Sequence, residues 1–284
     1  MESITRVQPL TFVGSALLIL LSVAAVLAAF IYGRKKLKGP IGPFFIGFAV
    51  FALFALVLES IVHQLVLLGT PAGEKIMGNI WLYALYGGAA AAVFEETGRI
   101  VAAKTVLRRR QDTVSAYMYG AGHGGIEALA VGAATGVSNI VLAVMINTGK
   151  AGALLEPLSG ANLDAAVAQL AALCEDNGAS LLGGVERMFA LAVHIALSLI
   201  MFRGLREHKG GLVVLCYALH FLLDAALVVI NSYFGIYIAE LWVAVCAALI
   251  VLLAHKISPL PKGAEAGQTE ENGAEAPAAA EGAE

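Results

Sequence analysis

Phe94-Glu95-Glu96-Thr97-Gly98-Arg99 is a charged stretch within an apolar segment that covers residues 80–107. Each charged side chain at the middle of a membrane helix costs about 2.5–3.5 kcal/mol on insertion scales, so such groups usually face the interior of a bundle or a water-filled cavity. Glu95 and Glu96 precede Arg99 by four and three residues, offsets that are neighbours on a helix surface. One carboxylate can therefore pair with the guanidinium while the other stays available, and polar partners are expected on other helices.

The composition of the whole chain is that of a membrane protein. Of its 284 residues, 59% are hydrophobic and 14% are charged, whereas about 25% of the residues of a soluble domain are charged. The three cysteines have no Cys-x-x-Cys spacing, which supports neither a disulfide framework nor a thiolate metal site. We therefore predict an all-α, polytopic transmembrane helix bundle, located in the cell membrane as a multi-pass protein.

Seven apolar segments are long enough to span a bilayer, which takes about 20 apolar residues in a helix. They cover residues 10–32, 41–68, 80–107, 114–146, 181–202, 212–230 and 236–254. Lysine and arginine cluster after the first, third and fifth segments, and Lys256 follows the seventh. The positive-inside rule then predicts an external N-terminus and a cytoplasmic C-terminus.

Two regions outside these segments have compositions of their own. The outer loop 149–180 contains the amphipathic run 163–174, which predicts a short surface helix. Residues 258–284 are rich in Pro, Gly, Ala and Glu and predict a disordered, acidic cytoplasmic tail. We therefore divide the chain into a transmembrane domain, 1–257, and this tail.

Three later helices also carry ionisable side chains at membrane depth. The fourth has a glycine-flanked His-x-x-x-Glu pair, the fifth a Glu-Arg pair with a histidine seven residues later, and the sixth a His-x-x-x-Asp pair. These residues are His123 and Glu127, Glu186, Arg187 and His194, and His220 and Asp224. Any one set alone would suit a structural ion pair or a hydrogen-bonded histidine, and His63 on the second helix is assigned no role. Because four successive helices carry such groups, we expect them to converge.

Carboxylates and histidines in a wet intramembrane cavity can activate water. A glutamate can act as a general base while a histidine or an arginine stabilises an oxyanion. Three histidines with carboxylates can equally hold zinc, with His123, His194 and His220 as the candidate ligands. No compact His-Glu-x-x-His motif is present, so a metal would take ligands from several helices. The sequence leaves zinc and a metal-free glutamate mechanism both open.

Two other classes of intramembrane protease lack their motifs here. The chain contains no Gly-x-Ser-x-Gly motif, and Asp224 is the single aspartate within a predicted span. Serine and aspartyl proteolysis are therefore not expected.

The ordered set of motifs resembles the YhfC family of intramembrane metalloproteases. The set consists of Phe94-Glu95-Glu96-x-x-Arg99, Gly122-His123-Gly124-Gly125-Ile126-Glu127, Glu186-Arg187 with His194, and His220-Phe221-Leu222-Leu223-Asp224. That family looks like a branch of the superfamily that contains the CAAX prenyl endopeptidases, bacteriocin-processing membrane proteases, PrsW and the APH-1 subunit of gamma-secretase. The resemblance covers the second to the seventh helix and implies a peptidase that cuts within or near the membrane.

Three superfamily motifs can be carried onto this sequence. Glu-Glu-x-x-x-Arg falls on Glu95, Glu96 and Arg99 with one residue fewer before the arginine, Phe-x-x-x-His on Tyr119 and His123, and His-x-x-x-Asn/Asp on His220 and Asp224. The resemblance implies that one glutamate is the general base and that Arg99 holds the other. His123 and His220 would stabilise the oxyanion or bind metal. Asp224 would orient His220, and Glu127 would orient His123. Glu186, Arg187 and His194 would form a surrounding polar shell.

Two other functions fit the same residues. Carboxylate–histidine chains also serve proton relays, which would suit a proton-coupled transporter, although the sequence has no internal repeat. A catalytically silent scaffold or immunity-type protein is the second alternative. For the protease, we expect a membrane protein or peptide as substrate, the lipid bilayer as surroundings, and no nucleic acid partner.

The positions of the charged groups along their helices predict a common depth. Arg99 precedes Arg108 by about two and a half turns, which places the charged stretch in the cytoplasmic half of the third helix. His123 and His220 follow the predicted cytoplasmic ends of their helices by nine and eight residues. We therefore expect these side chains to meet at one level.

Overall fold

The computed structural model describes residues 6–175 and 178–261. Within these residues it consists of α-helices, two π-helical segments and their connections. The prediction of an all-α polytopic membrane bundle is confirmed, because six helices are long and apolar enough to span a membrane and a seventh qualifies as part of a bent pair. Residues 1–5 and 262–284, the latter being most of the predicted acidic tail, lie outside the described residues.

The observed helices match the predicted segments closely. The membrane-length helices are α1 (Pro9–Lys35), α2 (Ile41–Phe51) continued by a π-helical segment (Ala52–Glu59) and α3 (Ser60–Leu67), α5 (Ile80–Lys104), α6 (Thr113–Glu127) continued by a π-helical segment (Ala128–Ala133) and α7 (Ala134–Asn147), α10 (Ala179–Arg206), α11 (Gly210–Phe234) and α12 (Ile236–Ile257). The third helix ends three residues before the predicted position. The Thr105 hydroxyl donates to the Val101 carbonyl at 2.6 Å where α5 gives way to a turn.

A short helix precedes the span that carries the charged stretch. This helix, α4 (Pro71–Met77), lies at 106° to α5, and the two together make the seventh candidate span. The Thr70 hydroxyl oxygen accepts from the Gly73 backbone N–H at 2.9 Å at the start of α4. The Asn79 side chain accepts from the first N–H groups of α5, at 2.9 Å from Trp81. These caps fix where each helix begins, and hence the depth at which α5 enters the bundle.

The described part of the long loop after α7 contains the predicted helix. It forms α8 (Ala151–Leu155) and α9 (Gly160–Cys174), and α9 contains the helix predicted at 163–174. The loop helices pack against the end of α7 and the residues before α1. Their apolar cluster consists of Val7, Ala143, Ile146, Leu155, Leu170 and Leu173.

The central helices are α6 and α10, and glycines allow their neighbours to approach closely. A Cβ atom at Gly122 of α6 would lie 1.8 Å from the Phe44 carbonyl oxygen of α2, and one at Gly47 of α2 would lie 2.1 Å from the Tyr119 carbonyl oxygen. Backbone-to-backbone contact of this kind needs glycine, as is common between membrane helices. The glycine-rich stretch therefore brings α2 against α6 and holds His123 in the middle of the bundle.

At the C-terminal end, the bundle extends slightly into the predicted tail. Ser258 is buried and Leu260 packs against the main apolar core. The first residues of the predicted tail therefore belong structurally to the transmembrane domain.

The contact between α2 and α6 leads to a stability prediction. We expect Gly47→Ala to destabilise the protein by about 1–3 kcal/mol, because the new methyl group must displace backbone. The measurement is the melting temperature of the purified protein in detergent. Gly42→Ala is the matched control on the same helix, since a Cβ there meets nothing within 4 Å. An equal loss in both variants, or none at Gly47, would contradict the packing.

Candidate active site

The structure brings all ten predicted polar residues into one connected cluster. Each is linked to at least one other by a polar contact of 4.0 Å or less. Four helices contribute: α5 (Glu95, Glu96, Arg99), α6 (His123, Glu127), α10 (Glu186, Arg187, His194) and α11 (His220, Asp224). Convergence satisfies charges that would be unfavourable on separate lipid-facing helices.

The two adjacent glutamates have different partners. Arg99 donates through Nη1 to Glu96, and the same Glu96 Oε1 lies 2.8 Å from His220 Nδ1. Glu96 and Arg99 are both completely buried. The guanidinium therefore holds Glu96 and leaves Glu95 as the available carboxylate.

Glu95 lies among three histidines. Its Oε2 atom is 3.0 Å from His123 Nε2 and 3.6 Å from His194 Nδ1, and its Oε1 atom is 4.0 Å from His220 Nε2. It also lines a cavity of about 80 Å³ together with His194 and His220. Glu95 is thus the carboxylate of the pair that can meet a molecule in the cavity.

His194 lies within the centre of the cluster and not in the surrounding polar shell to which the sequence analysis assigned it. Its Nδ1 atom accepts from Arg99 Nη2 at 3.0 Å, because a guanidinium can only donate. In a neutral imidazole the proton then lies on Nε2, which is 2.6 Å from Glu127 Oε2. His194 therefore connects the buried arginine to a carboxylate on the opposite side of its ring.

Glu127 contacts His194 rather than the expected His123. The two α6 residues are four apart, but His123 Nε2 contacts Glu95, and His123 Nδ1 has no hydrogen-bond partner among the described residues. Glu127 Oε1 instead accepts a hydrogen bond from Arg187 Nη1 at 2.5 Å. The other terminal nitrogen, Arg187 Nη2, lies 2.5 Å from Glu186 Oε1. A chain of contacts therefore runs from His194 through Glu127 to the Arg187–Glu186 pair.

His220 has a carboxylate at each ring nitrogen. Besides Glu96 at Nδ1, Asp224 Oδ2 lies 3.3 Å from Nε2, one turn along α11. This contact is the one that the His-x-x-x-Asp spacing implied. With both nitrogens occupied by carboxylates, His220 holds the position of Glu96 and faces Glu95.

The structure brings together three candidate metal ligands. This set differs by one residue from the expected set of His123, His194 and His220. Among the described residues, Glu95, His123 and His194 each offer a ligand atom within 4.8 Å of one another, and all three are buried. Two histidines and a carboxylate are a ligand set that suits catalytic zinc. Glu127, beside the far nitrogen of His194, is the kind of partner that orients such ligands. By residue type the set therefore suits a zinc ion, with Glu95 replacing His220, while His194 Nδ1 accepts from Arg99 in this structure.

Several neighbours were not found from the sequence. The Phe51 ring lies 5.1 Å from the His123 ring. Tyr119, which the motif had already paired with His123, stacks on the same ring at 5.7 Å. A separate polar group on the second span was also missed: His63 lies 3.2 Å from Glu59 Oε1 and 2.9 Å from the Tyr86 hydroxyl. The signal was available, since Glu59 and His63 are four residues apart within an apolar segment, as His123 and Glu127 are.

The different partners of the two glutamates predict different effects on stability. We expect Glu96→Gln to lower the melting temperature markedly, because breaking a buried ion pair costs about 3–5 kcal/mol. Glu95→Gln should leave it almost unchanged, since an amide can keep one hydrogen bond to His123. Thermal unfolding in detergent measures both. A larger loss for Glu95→Gln would contradict the assignment of Glu96 as the arginine's partner.

Comparisons with known proteins identify the family of this chain. A family model described as YhfC intramembrane metalloprotease matches residues 17–247, which include all ten cluster residues. The uncharacterized membrane protein YhfC of Bacillus subtilis strain 168 is 31% identical over 224 residues, covering 78% of this chain and 85% of that protein. No solved structure matches. The chain belongs to the YhfC intramembrane metalloprotease family.

Proposed function

We propose that this protein is an intramembrane endopeptidase in which Glu95 activates water. The observation that carries the proposal is the free carboxylate of Glu95, which lines a cavity among three histidines while Arg99 holds Glu96. The description of the family supports a protease. The expected substrate is a membrane protein or a peptide in the bilayer.

The proposed reaction is hydrolysis of a peptide bond. Glu95 takes a proton from a water molecule in the cavity as the water oxygen attacks the carbonyl carbon. The carbon–nitrogen bond then breaks, and the proton passes to the leaving amine. General acid–base help of this kind contributes about 10²–10⁴-fold to a rate.

The histidines supply hydrogen-bond donors to the site. His123 contacts Glu95 directly, and His220 faces it from α11 at 4.0 Å. Either can donate to the oxygen that becomes negative as the carbonyl is attacked. Asp224 and Glu96 hold His220 in this direction, and Glu127 holds His194.

A zinc ion is the alternative way to activate water at the same place. Glu95, His123 and His194 would hold it, and the ion would supply Lewis-acid polarisation of the water and of the substrate carbonyl. Three observations bear on this choice. The family description and the ligand set support zinc, whereas the contact of Arg99 with His194 Nδ1 supports a glutamate mechanism without metal.

Removing the proposed base tests the enzymatic function. We expect Glu95→Gln to reduce cleavage of membrane peptides by at least about 10²-fold, since the amide cannot accept the proton. His123→Ala and His220→Ala should also lose activity. The assay is mass spectrometry of products in proteoliposomes.

Glu74→Gln, on the short helix α4 and away from the cluster, is the control for this test. Full activity of Glu95→Gln would rule out the assigned base. If the wild type never cleaves, accumulation of a solute driven by a pH gradient would favour a transporter, and a stable co-purifying partner would favour a scaffold.

Zinc binding is tested by titration in the presence of a thermal probe. We expect zinc to raise the melting temperature of the wild type, because a ligand at 100 times its Kd stabilises by about 2.7 kcal/mol. His123→Ala and His194→Ala should lose the shift, while His63→Ala keeps it. Metal analysis of the purified protein gives the stoichiometry. Absence of any shift in the wild type would favour the metal-free mechanism.

A further inference from the structure

The cluster residues become more exposed in one direction along the bundle. Glu96, Arg99 and His123 have completely buried side chains, and Glu95 and His220 are 9% and 6% exposed. Glu186 reaches 23% and Asp224 reaches 31%. The exposed members lie toward the outer ends of α10 and α11, on the side of the N-terminus.

The opposite side of the cluster is closed by apolar packing. Large side chains with exposed fractions of 0–1% follow the cluster on α6 and α10 toward the predicted cytoplasmic ends of these helices. They are Met118, Tyr119, Leu197, Ile200, Met201 and Phe202. They belong to the main core of the bundle. A groove of about 230 Å³ between α10 and α12 lies on this inner side, and no cluster residue lines it.

The cavity of about 80 Å³ leads outward from Glu95. Its lining includes Glu95, His194 and His220 at the inner end, and Glu186 and Asp224 farther out. The volume is well above the roughly 10–15 Å³ that one water molecule needs. The ionisable side chains in an otherwise apolar lining, together with sufficient space, make this a path for water.

The second span is loosely packed beside this path. Its outer part, the π-helical segment Ala52–Glu59 and α3, contains no buried residue. Glu59 lies within electrostatic reach of His220 and Asp224 and contacts His63, so this span brings one further carboxylate near the cluster. π-Helical turns are frequent at functional sites, and a second one starts directly after Glu127.

We propose that water and substrate enter the site from the outer face, although the helix ends place Glu95 nearer to the cytoplasm. Along α5, Glu95 is about 14 Å from the cytoplasmic end and about 22 Å from the outer end. The shorter route crosses the close-packed core, whereas the longer one follows the polar cavity. This inference rests on the proposed peptidase function for its substrate class: peptide bonds in the outer half of the bilayer, or just outside it.

Cysteine labelling from each side of the membrane tests the direction of access. In a background with Cys174, Cys216 and Cys246 replaced by alanine, single cysteines are placed at Leu227 and Glu186 of the cavity. A charged, membrane-impermeant methanethiosulfonate is added to intact cells or to inside-out vesicles. We expect modification at least about tenfold faster in intact cells, because the cavity opens outward.

Controls separate access from orientation and from activity. Gly149→Cys should react in intact cells and Arg109→Cys in inside-out vesicles, which fixes the topology independently. Ile200→Cys, in the closed core, should react from neither side. Faster labelling of the two cavity positions in inside-out vesicles, or no labelling from either side, would overturn the proposal.

The substrate class is tested with two peptides that each cross the membrane once, in oriented proteoliposomes. One peptide carries a helix-breaking cleavage site in the outer half of the bilayer, and the other carries it in the inner half. Preferential cleavage of the outer site is expected. Preference for the inner site would overturn the inference and leave the peptidase function intact. Cleavage of neither peptide, with cavity labelling from outside, would count against the peptidase function alone.

Discussion

The buried ion pair between Glu96 and Arg99 is the interaction on which the site depends. Both side chains are completely removed from solvent, so the loss of hydration must be offset by partners of good geometry. Arg99 also donates to His194 on α10, and Glu96 also contacts His220 on α11. One pair on α5 therefore ties three helices together at one depth, and it leaves Glu95 free for chemistry.

Glycines determine how closely the remaining helix can join this arrangement. Gly47 and Gly122 let α2 and α6 meet backbone to backbone, and His123 lies one residue beyond that contact. The Phe51 ring then packs against His123 from α2. The cluster therefore has close packing on one side and a cavity lined by ionisable side chains on the other.

Glu95, His123 and His194 suit either a general-base mechanism or a zinc site, because both need a carboxylate close to imidazole groups. A carboxylate between two imidazoles can accept a proton from water or share a metal ion with them. Arg99 is the difference between the two: its contact with His194 occupies the nitrogen that a metal would need. The position of this guanidinium is therefore central to the mechanism.

The sequence by itself determined the apolar spans and predicted that ten polar residues converge, because hydropathy and the unfavourable burial of charge act on each helix separately. The orientation of the bundle stays a prediction from charge. The tertiary structure alone decided which glutamate pairs with Arg99, that Glu127 contacts His194 rather than His123, and that Glu59 contacts His63. Those features depend on the rotation and depth of each helix against its neighbours. In a membrane these are set by packing between helices, which no pattern within one helix encodes.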